Sequence, residues 1–566
     1  MKPDKSRIQI SEPLWWEGRR VSMRKQTFIQ GAMILLAAGL VNRLLGFIPR
    51  IALPRMIGAE GVGLYQLVYP FMIVLITVIA GGLPLAVAKL VAEAESRGDR
   101  AAVKRIVRSA MTISVSAGII AAAACVSLAG WISGGIMPDE RVRSAFLTMI
   151  PVLPLVSVSS VWRGYFQGKQ NMIPSAVSSI TETLVRIVFT LLLAGLLMPR
   201  GLEAAAAGAM AGVVCGELAS LLVLWHQAVL ERRREKTEPP SPDAGLPETH
   251  KPLAAGGPAG ASPHVAEGKS ESSDERGTYR RLLGIAVPVT GSRLVGSLSY
   301  LLESIFTAKS LAAAGLAAGV ATAQYGLLQG MVIPLITLPG VLTYSLAVSL
   351  VPSLSEAGAR RDWETIRKRL HQSLRLAVVT GAPFAVLMSL LAEPLCLLVY
   401  GSGDMADMLR WMAPIALFLY MQAPLQAALQ ALDRPGTALF NTFAGAAVKL
   451  ILIVQLASRP EFGIYGAVIA ICVNMALVTL LHWISVARLT GFRLHPPDFA
   501  KTGAAAVIMG AAAVWLWNRQ LLPLFSANLL SACALAVLVY VLLLMLMGLI
   551  DRHDMSRMPV VGRWFR

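Results

Sequence analysis

Three arginines punctuate one apolar stretch, "GLVNRLLGFIPRIALPRMIG" at residues 39–58: Arg43, Arg50 and Arg55. The guanidinium is a planar, permanently charged fork of donors that fits phosphate oxygens, so the chemistry on offer is capture of an anion and not a covalent step. Arg43 and Arg50 stand two helical turns apart and share one face. Pro49 and Pro54 each remove a backbone donor and kink a helix, which frees carbonyl groups to line a cavity. Arg186, Arg293, Lys89 and Lys449 lie in other apolar runs, and Arg293 has uncharged flanks, "PVTGS" and "LVGSL". A cation at the bilayer centre costs roughly 2.5–3.5 kcal/mol, so such residues face protein, water or a ligand. Arg43, Arg50, Arg55, Arg186 and Arg293 are therefore the candidates for binding an anionic substrate.

Two carboxylates share these runs. Glu182 precedes Arg186 by one turn, a spacing at which the pair can neutralise itself. Glu303 lies nearly three turns beyond Arg293, on its face but out of its reach, and reads as an ion-coupling site, a counter-ion or a partner for Lys309. Arg50 and Arg55 also fit a second role, snorkelling to the outer interface, as does Lys89 at the inner end of its run. Arg163 in "VWRGYFQG" sits close enough to a boundary to be a topology marker only. The five cysteines lie in apolar runs with no CxxC spacing and the seven histidines form no HExxH cluster. "GYFQGKQ" at 164–170 is one residue short of a phosphate loop between its glycines and ends in Gln170 where Ser or Thr is required. No catalytic residue, metal or cofactor is expected, and the chain does not read as an enzyme.

What positions these side chains is a membrane. Of 566 residues 55% are apolar and 15% charged, with mean hydropathy +0.62, whereas soluble domains are nearer 45–50% and 25%. Apolar runs long enough to cross ~30 Å of hydrocarbon as a helix recur about fourteen times. The expected fold is an all-α polytopic membrane protein. The net charge of +18 invites a nucleic-acid reading, but most of the lysines and arginines fall in segments on the side of the N-terminus. That is the positive-inside bias, which accounts for the basicity without nucleic acid and puts both termini in the cytoplasm after an even number of spans.

Residues 1–26 form an N-terminal arm. Its first 22 residues are polar and lack the apolar core of a signal peptide, and "MRKQTFIQGAMILL" from Met23 has the look of a polytopic start, so 1–22 reads as a mis-called beginning or as an arm lying at the interface through Trp15 and Trp16. Residues 231–278, rich in Pro, Gly, Ser and Glu, bury too little to fold and read as a flexible cytoplasmic linker. Across it an internal repeat appears. "RGDRAAVKR" (97–105) matches "RRDWETIRK" (360–368) at an offset of 263, which also carries Pro151 onto Pro414, Gln167 onto Gln430 and Arg186 onto Lys449. Two six-helix lobes follow, 27–230 and 279–488, in parallel orientation because six is even. Helices 13 and 14 (489–550) are an extra pair, and 551–566 is a cytoplasmic tail. A parallel repeat of this kind sets a substrate cavity between its halves near the midplane.

The stretches "KQTFIQGAMILLAAGLVNRLLGFIPRIALPRMIGAEGVGLYQLVYP" (25–70) and "RGYFQGKQNMIPSAVSSITETLVRI" (163–187) resemble the stage V sporulation protein B-like group of polysaccharide transporters in the MOP flippase superfamily, related to lipid II flippases. The resemblance implies fourteen spans in two lobes, a cationic central cavity, and residence in the bacterial cytoplasmic membrane. It further implies outward movement of an undecaprenyl-pyrophosphate-linked sugar precursor for cell-wall or spore-cortex peptidoglycan, with wall-synthesis enzymes as possible partners. Two alternatives stand beside it, a cation-coupled multidrug exporter of the same superfamily and a membrane scaffold for wall or sporulation enzymes.

Overall fold

The computed structural model describes residues 28–137, 139–237, 271–494, 496–520 and 522–549, and every described element is a helix. The first half comprises α1 (Phe28–Leu45), α2 (Phe47–Ala80), α3 (Leu83–Ser96), α4 (Arg100–Trp131), α5 (Val142–Met149), α6 (Val152–Gly168), α7 (Ile173–Leu197) and α8 (Leu202–Thr237). The second comprises α9 (Glu271–Ala313), α10 (Ala318–Tyr325), α11 (Ile333–Thr337), α12 (Gly340–Ala359), α13 (Trp363–Leu390), α14 (Ala392–Tyr400), α15 (Ala406–Ala431), α16 (Pro435–Leu452) and α17 (Ile464–Thr490). The pair α18 (Pro496–Asn518) and α19 (Phe525–Leu546) follows. The end of α8 and the start of α9 mark what is called here the near face.

Among the described residues thirteen stretches are long and apolar enough to cross a membrane. The first, Met33–Ser96, has 64 residues; as a straight helix it would run ~96 Å, about twice the full bilayer thickness. Its backbone breaks inside α2 at Gly58 (φ 69°, ψ −179°), so the stretch has the length and the break for two crossings. The interruption between α1 and α2 at Gly46 lies where Pro49 withholds the donor that the Leu45 carbonyl would receive.

Helix covers both ends of the segment expected as linker. α8 runs on to Thr237 and α9 starts at Glu271, because "ERRREK" is made of good helix formers whose charges stay solvated on a helix leaving the membrane. The remainder, 238–270, lies outside the described residues, as do the expected arm and tail.

The repeat is written into the backbone. Asp99 caps α4 by accepting from the Ala102 amide at 2.8 Å, and Asp362, 263 residues on, caps α13 by accepting from Thr365 at 3.0 Å. The caps have nearly the same dihedrals, φ −83°, ψ 84° and φ −82°, ψ 82°. The preceding residues, Gly98 and Arg361, both have positive φ, as do Gln170 and Asp433 at the same offset.

The halves meet chiefly where α2 packs against α9, α10 and the π-helical turn Gly326–Val332. Here two backbones touch. A methyl group added to Gly63 would lie 2.0 Å from the Thr322 carbonyl oxygen, and one added to Gly326 would lie 2.0 Å from that of Ala59. Lipid removes most of the hydrophobic drive between helices, so close packing of small residues carries the association. Around this contact on the far face, Arg141 bridges Glu60 at 2.7 Å and Asp139 at 2.8 Å, and Thr322 donates to Asp139 at 2.8 Å. Burial pushes the Asp139 carboxyl up, but the hydrogen bonds from Arg141 and Thr322 outweigh it and hold the group below the usual carboxylate range.

Candidate functional site

Two cavities lie beside α9, one of them bounded by both halves. The smaller, about 270 Å³, is lined by Arg50, Tyr65 and Arg186 from the first half and by Tyr300, Gln329 and Pro334 from the second. The larger, about 740 Å³, lies against the second half and is lined by Arg293, Ser299, Gln422, Gln426, Lys449 and Asn474, among others.

Arg50 reaches the smaller cavity from the first turn of α2, exposed, its guanidinium carbon 5.7 Å from the centre of the Phe47 ring. Arg186 enters from α7. Its side chain is 32% exposed and its Nη1 lies 3.4 Å from Glu182 Oε1. The i, i+4 pair is therefore real but long, and Glu182 is claimed more closely from the other side: Arg163 Nη2 donates to Glu182 Oε2 at 2.7 Å and to Ser220 Oγ at 2.8 Å. Arg163 is thus a working member of a buried network, not a topology marker alone. Glu217 of α8 completes it, buried and accepting from Ser159 Oγ. Three helices contribute one face each, Ser159 and Arg163 on α6, Glu182 and Arg186 on α7, Glu217 and Ser220 on α8. Glu182 sits between two guanidiniums, and Arg186 is the one left facing the cavity.

In the second half the charges close on each other. Lys449 of α16 donates to Glu303 Oε2, and Gln329 Nε2 donates to Glu303 Oε1 at 2.7 Å. The two charged side chains are 10% and 9% exposed. Glu303 is ion-paired with Lys449, 146 residues on, rather than with Lys309.

The remaining candidates separate. Arg293 lines the larger cavity and also ties the halves together, its Nη1 donating to the Gly81 carbonyl at 2.6 Å where α2 ends. Arg43 is exposed on α1 and lines neither cavity; its neighbour Asn42 docks α1 on α7 by donating to Ser179 Oγ at 2.7 Å. Arg55 does not join the others. It crosses the far face to cap the last turn of α14, donating to the carbonyls of Val399 at 2.7 Å and of Leu398, where a cation suits the negative helix end. Glu217, Tyr300 and Gln329 escaped the sequence reading. For Glu217 there was a signal, a lone carboxylate within the apolar run "GAMAGVVCGELAS".

What the arrangement provides is permanently charged forks with hydroxyl and amide groups beside them, Arg50 and Arg186 at the cavity bounded by both halves and Arg293 at the one against the second half. Such groups are chemically suited to an anionic, hydrogen-bonding ligand.

The profile of the polysaccharide biosynthesis protein family matches residues 28–358, and the MatE profile matches residues 294–454. Stage V sporulation protein B of Bacillus subtilis (strain 168) is 37% identical over 548 residues, covering 96% of this chain and 99% of that protein. The lipid II flippase MurJ of the same organism is 25% identical over 488 residues, covering 82% and 83%. Among solved structures, a lipid II flippase MurJ in an inward closed conformation superposes with a TM-score of 0.62 at 13% identity, covering 93% of this chain and 100% of that one. An inward-facing MATE-family multidrug transporter of the MOP superfamily superposes with a TM-score of 0.58 at 13% identity, covering 81% and 98%.

Proposed function

Because this chain belongs to the polysaccharide biosynthesis protein family, within the MOP flippase superfamily, we propose that it moves an undecaprenyl-pyrophosphate-linked sugar precursor, of the lipid II kind, outward across the cytoplasmic membrane. The observation that carries this reading is the cavity shared by both halves into which Arg50 and Arg186 are exposed. A pyrophosphate headgroup has about two negative charges and cannot enter hydrocarbon unaided, whereas Arg forks bind its oxygens bidentately. The headgroup is captured from the cytoplasmic side by Arg50, Arg186 and Arg293 while the polyprenyl tail stays in lipid. Rocking of the halves then opens the far side. The near face is assigned to the cytoplasm on the positive-inside bias. Closure of the far face by Arg55, by the Arg141–Glu60 bridge and by the glycine contacts fits a state loaded from the near side.

The MatE match favours a second reading, export of hydrophobic cations. Against it, Glu182 and Glu303 at membrane depth are already ion-paired and Glu217 is hydrogen-bonded, so a cationic ligand would have to displace an internal partner.

The test is outward movement of lipid II in cells depleted of their resident flippase. Wild type should restore it, and an Arg50→Ala/Arg186→Ala/Arg293→Ala variant at matched membrane expression should fall roughly tenfold or more, the scale of one lost charge-assisted contact. Full rescue by the variant would remove these arginines from the mechanism. Failure of wild type to rescue would remove lipid II as the cargo.

A further inference from the structure

On the near face of the first half, away from the space between the halves, a third cavity of about 720 Å³ opens beside the first turns of α4. Arg100, Lys104 and Arg108 recur at every fourth residue along one stripe of that helix, all exposed. Among the described residues none of the three has an ion pair. Trp162 and Tyr165 of α6, ring centroids 5.6 Å apart and edge to face, stand opposite, and Val107 and Met111 continue the cavity toward the membrane interior.

A basic stripe at a membrane edge is, taken alone, a solvated face. The repeat says more. The offset of 263 carries Lys104 and Arg108 onto Arg367 and His371 of α13, and there the stripe is covered. Arg367 Nη1 donates to the Thr490 carbonyl at 3.3 Å, His371 Nε2 lies 3.0 Å from Asp498 Oδ2, and Arg375 lies 3.8 Å from the same oxygen. Phe492, 4% exposed, packs in the cluster of Ile366 and Leu370, with Phe499 at its edge. The cover is possible because the chain turns at Gly491 and re-enters as α18. In the first half the matching stretch runs straight on as the end of α8; the carboxylates nearby, Glu95 at the cavity wall and Glu231 of α8, face Lys169 at 3.8 and 2.8 Å, and among the described residues no segment lays a carboxylate over Arg100, Lys104 and Arg108.

We propose that this uncovered stripe binds the headgroup of an anionic phospholipid of the near leaflet. Its phosphate takes the role that the Asp498 carboxylate plays in the second half, held by Arg100, Lys104 and Arg108. Its first methylenes lie on Val107, Met111 and Trp162, the role of Phe492 and Phe499 across the repeat. Basic pockets between helices at the membrane surface are suited to such headgroups, and an apolar floor leading into the bilayer favours a lipid over a soluble anion.

Native mass spectrometry of the full chain, released from micelles holding equal phosphatidylglycerol and phosphatidylcholine, tests this. Wild type should retain phosphatidylglycerol over phosphatidylcholine by about tenfold. Arg100→Gln/Lys104→Gln/Arg108→Gln should lose the preference, as should the single Lys104→Glu, while Arg360→Gln/Lys368→Gln/Arg434→Gln on the second half should keep it. Undiminished preference in the α4 variants overturns the site, and equal loss in the second-half variant reduces it to net charge. Displacement by inorganic phosphate at the concentration of the lipid overturns the lipid assignment in favour of a soluble anion.

Discussion

Arg186 and Lys449 occupy the same place in the two halves of the repeat and each stands at the wall of a cavity, yet the first is about a third exposed while the second is buried in an ion pair. In the first half the carboxylate that could neutralise Arg186 is held more tightly by Arg163, 2.7 Å against 3.4 Å, and the guanidinium turns to the cavity. In the second half Lys449 and Glu303 bury each other, with Gln329 satisfying the other carboxylate oxygen. Duplication supplied a cation at membrane depth twice. What differs is the number of cations sharing the counter-ion, two at Glu182 and one at Glu303, where the second donor is the neutral Gln329.

The comparison can be broken most forcefully at the closed pair. Glu303→Ala should leave a buried, unpaired ammonium and cost about 3–5 kcal/mol, read as a lower thermal midpoint in detergent, whereas Glu303→Gln/Lys449→Met together should recover most of it. An unchanged midpoint in Glu303→Ala would mean that Lys449 is solvated and the two halves do not differ as described. At the open position the pattern should invert. Arg186→Ala should change stability by less than ~1 kcal/mol, because the side chain is about a third exposed and its pair is long, while transport of the lipid-linked precursor falls roughly tenfold. A loss of stability matching that of Glu303→Ala would make Arg186 structural. The smallest effect concerns the far-face cluster. The folded Asp139 carboxyl is depressed below its ordinary 3.8, so its contribution is fully present above that value and is lost as pH falls through the folded value. Thermal midpoints of wild type and Asp139→Asn should therefore differ by a constant amount from pH 8 to pH 5 and converge only in stronger acid. Convergence near pH 6 would mean that the carboxylate is not held by Arg141 and Thr322.

The membrane class, the recurrence of membrane-length helices and the duplication were all legible in the sequence because each is periodic. Apolar runs recur at membrane length, and residues such as Asp99 and Asp362 keep their cap at fixed offset. The site was legible in part. Arg50, Arg186 and Arg293 stood out as charges in apolar company, a local property. Which charges answer each other was not local: Arg163 finds Glu182 19 residues away and Lys449 finds Glu303 146 residues away, and helix contacts made in three dimensions choose those partners. Arg55 shows the same limit, since an arginine in an apolar run looks alike whether it faces a cavity or caps a helix across the molecule.

The paired glycines at the far face carry one more consequence. Where Gly63 meets Thr322 and Gly326 meets Ala59, closure brings backbone to backbone with no intervening side chain at either glycine. The two glycines themselves have no rotamer to freeze when the halves close or to thaw when they part, so their share of the seam forms without the ordering entropy that interlocking side chains incur. Its attraction is short-ranged dispersion, which fades within an ångström or so of separation. Such a seam acts as a snap fastener: indifferent at a distance, firm on contact, and released by a small displacement.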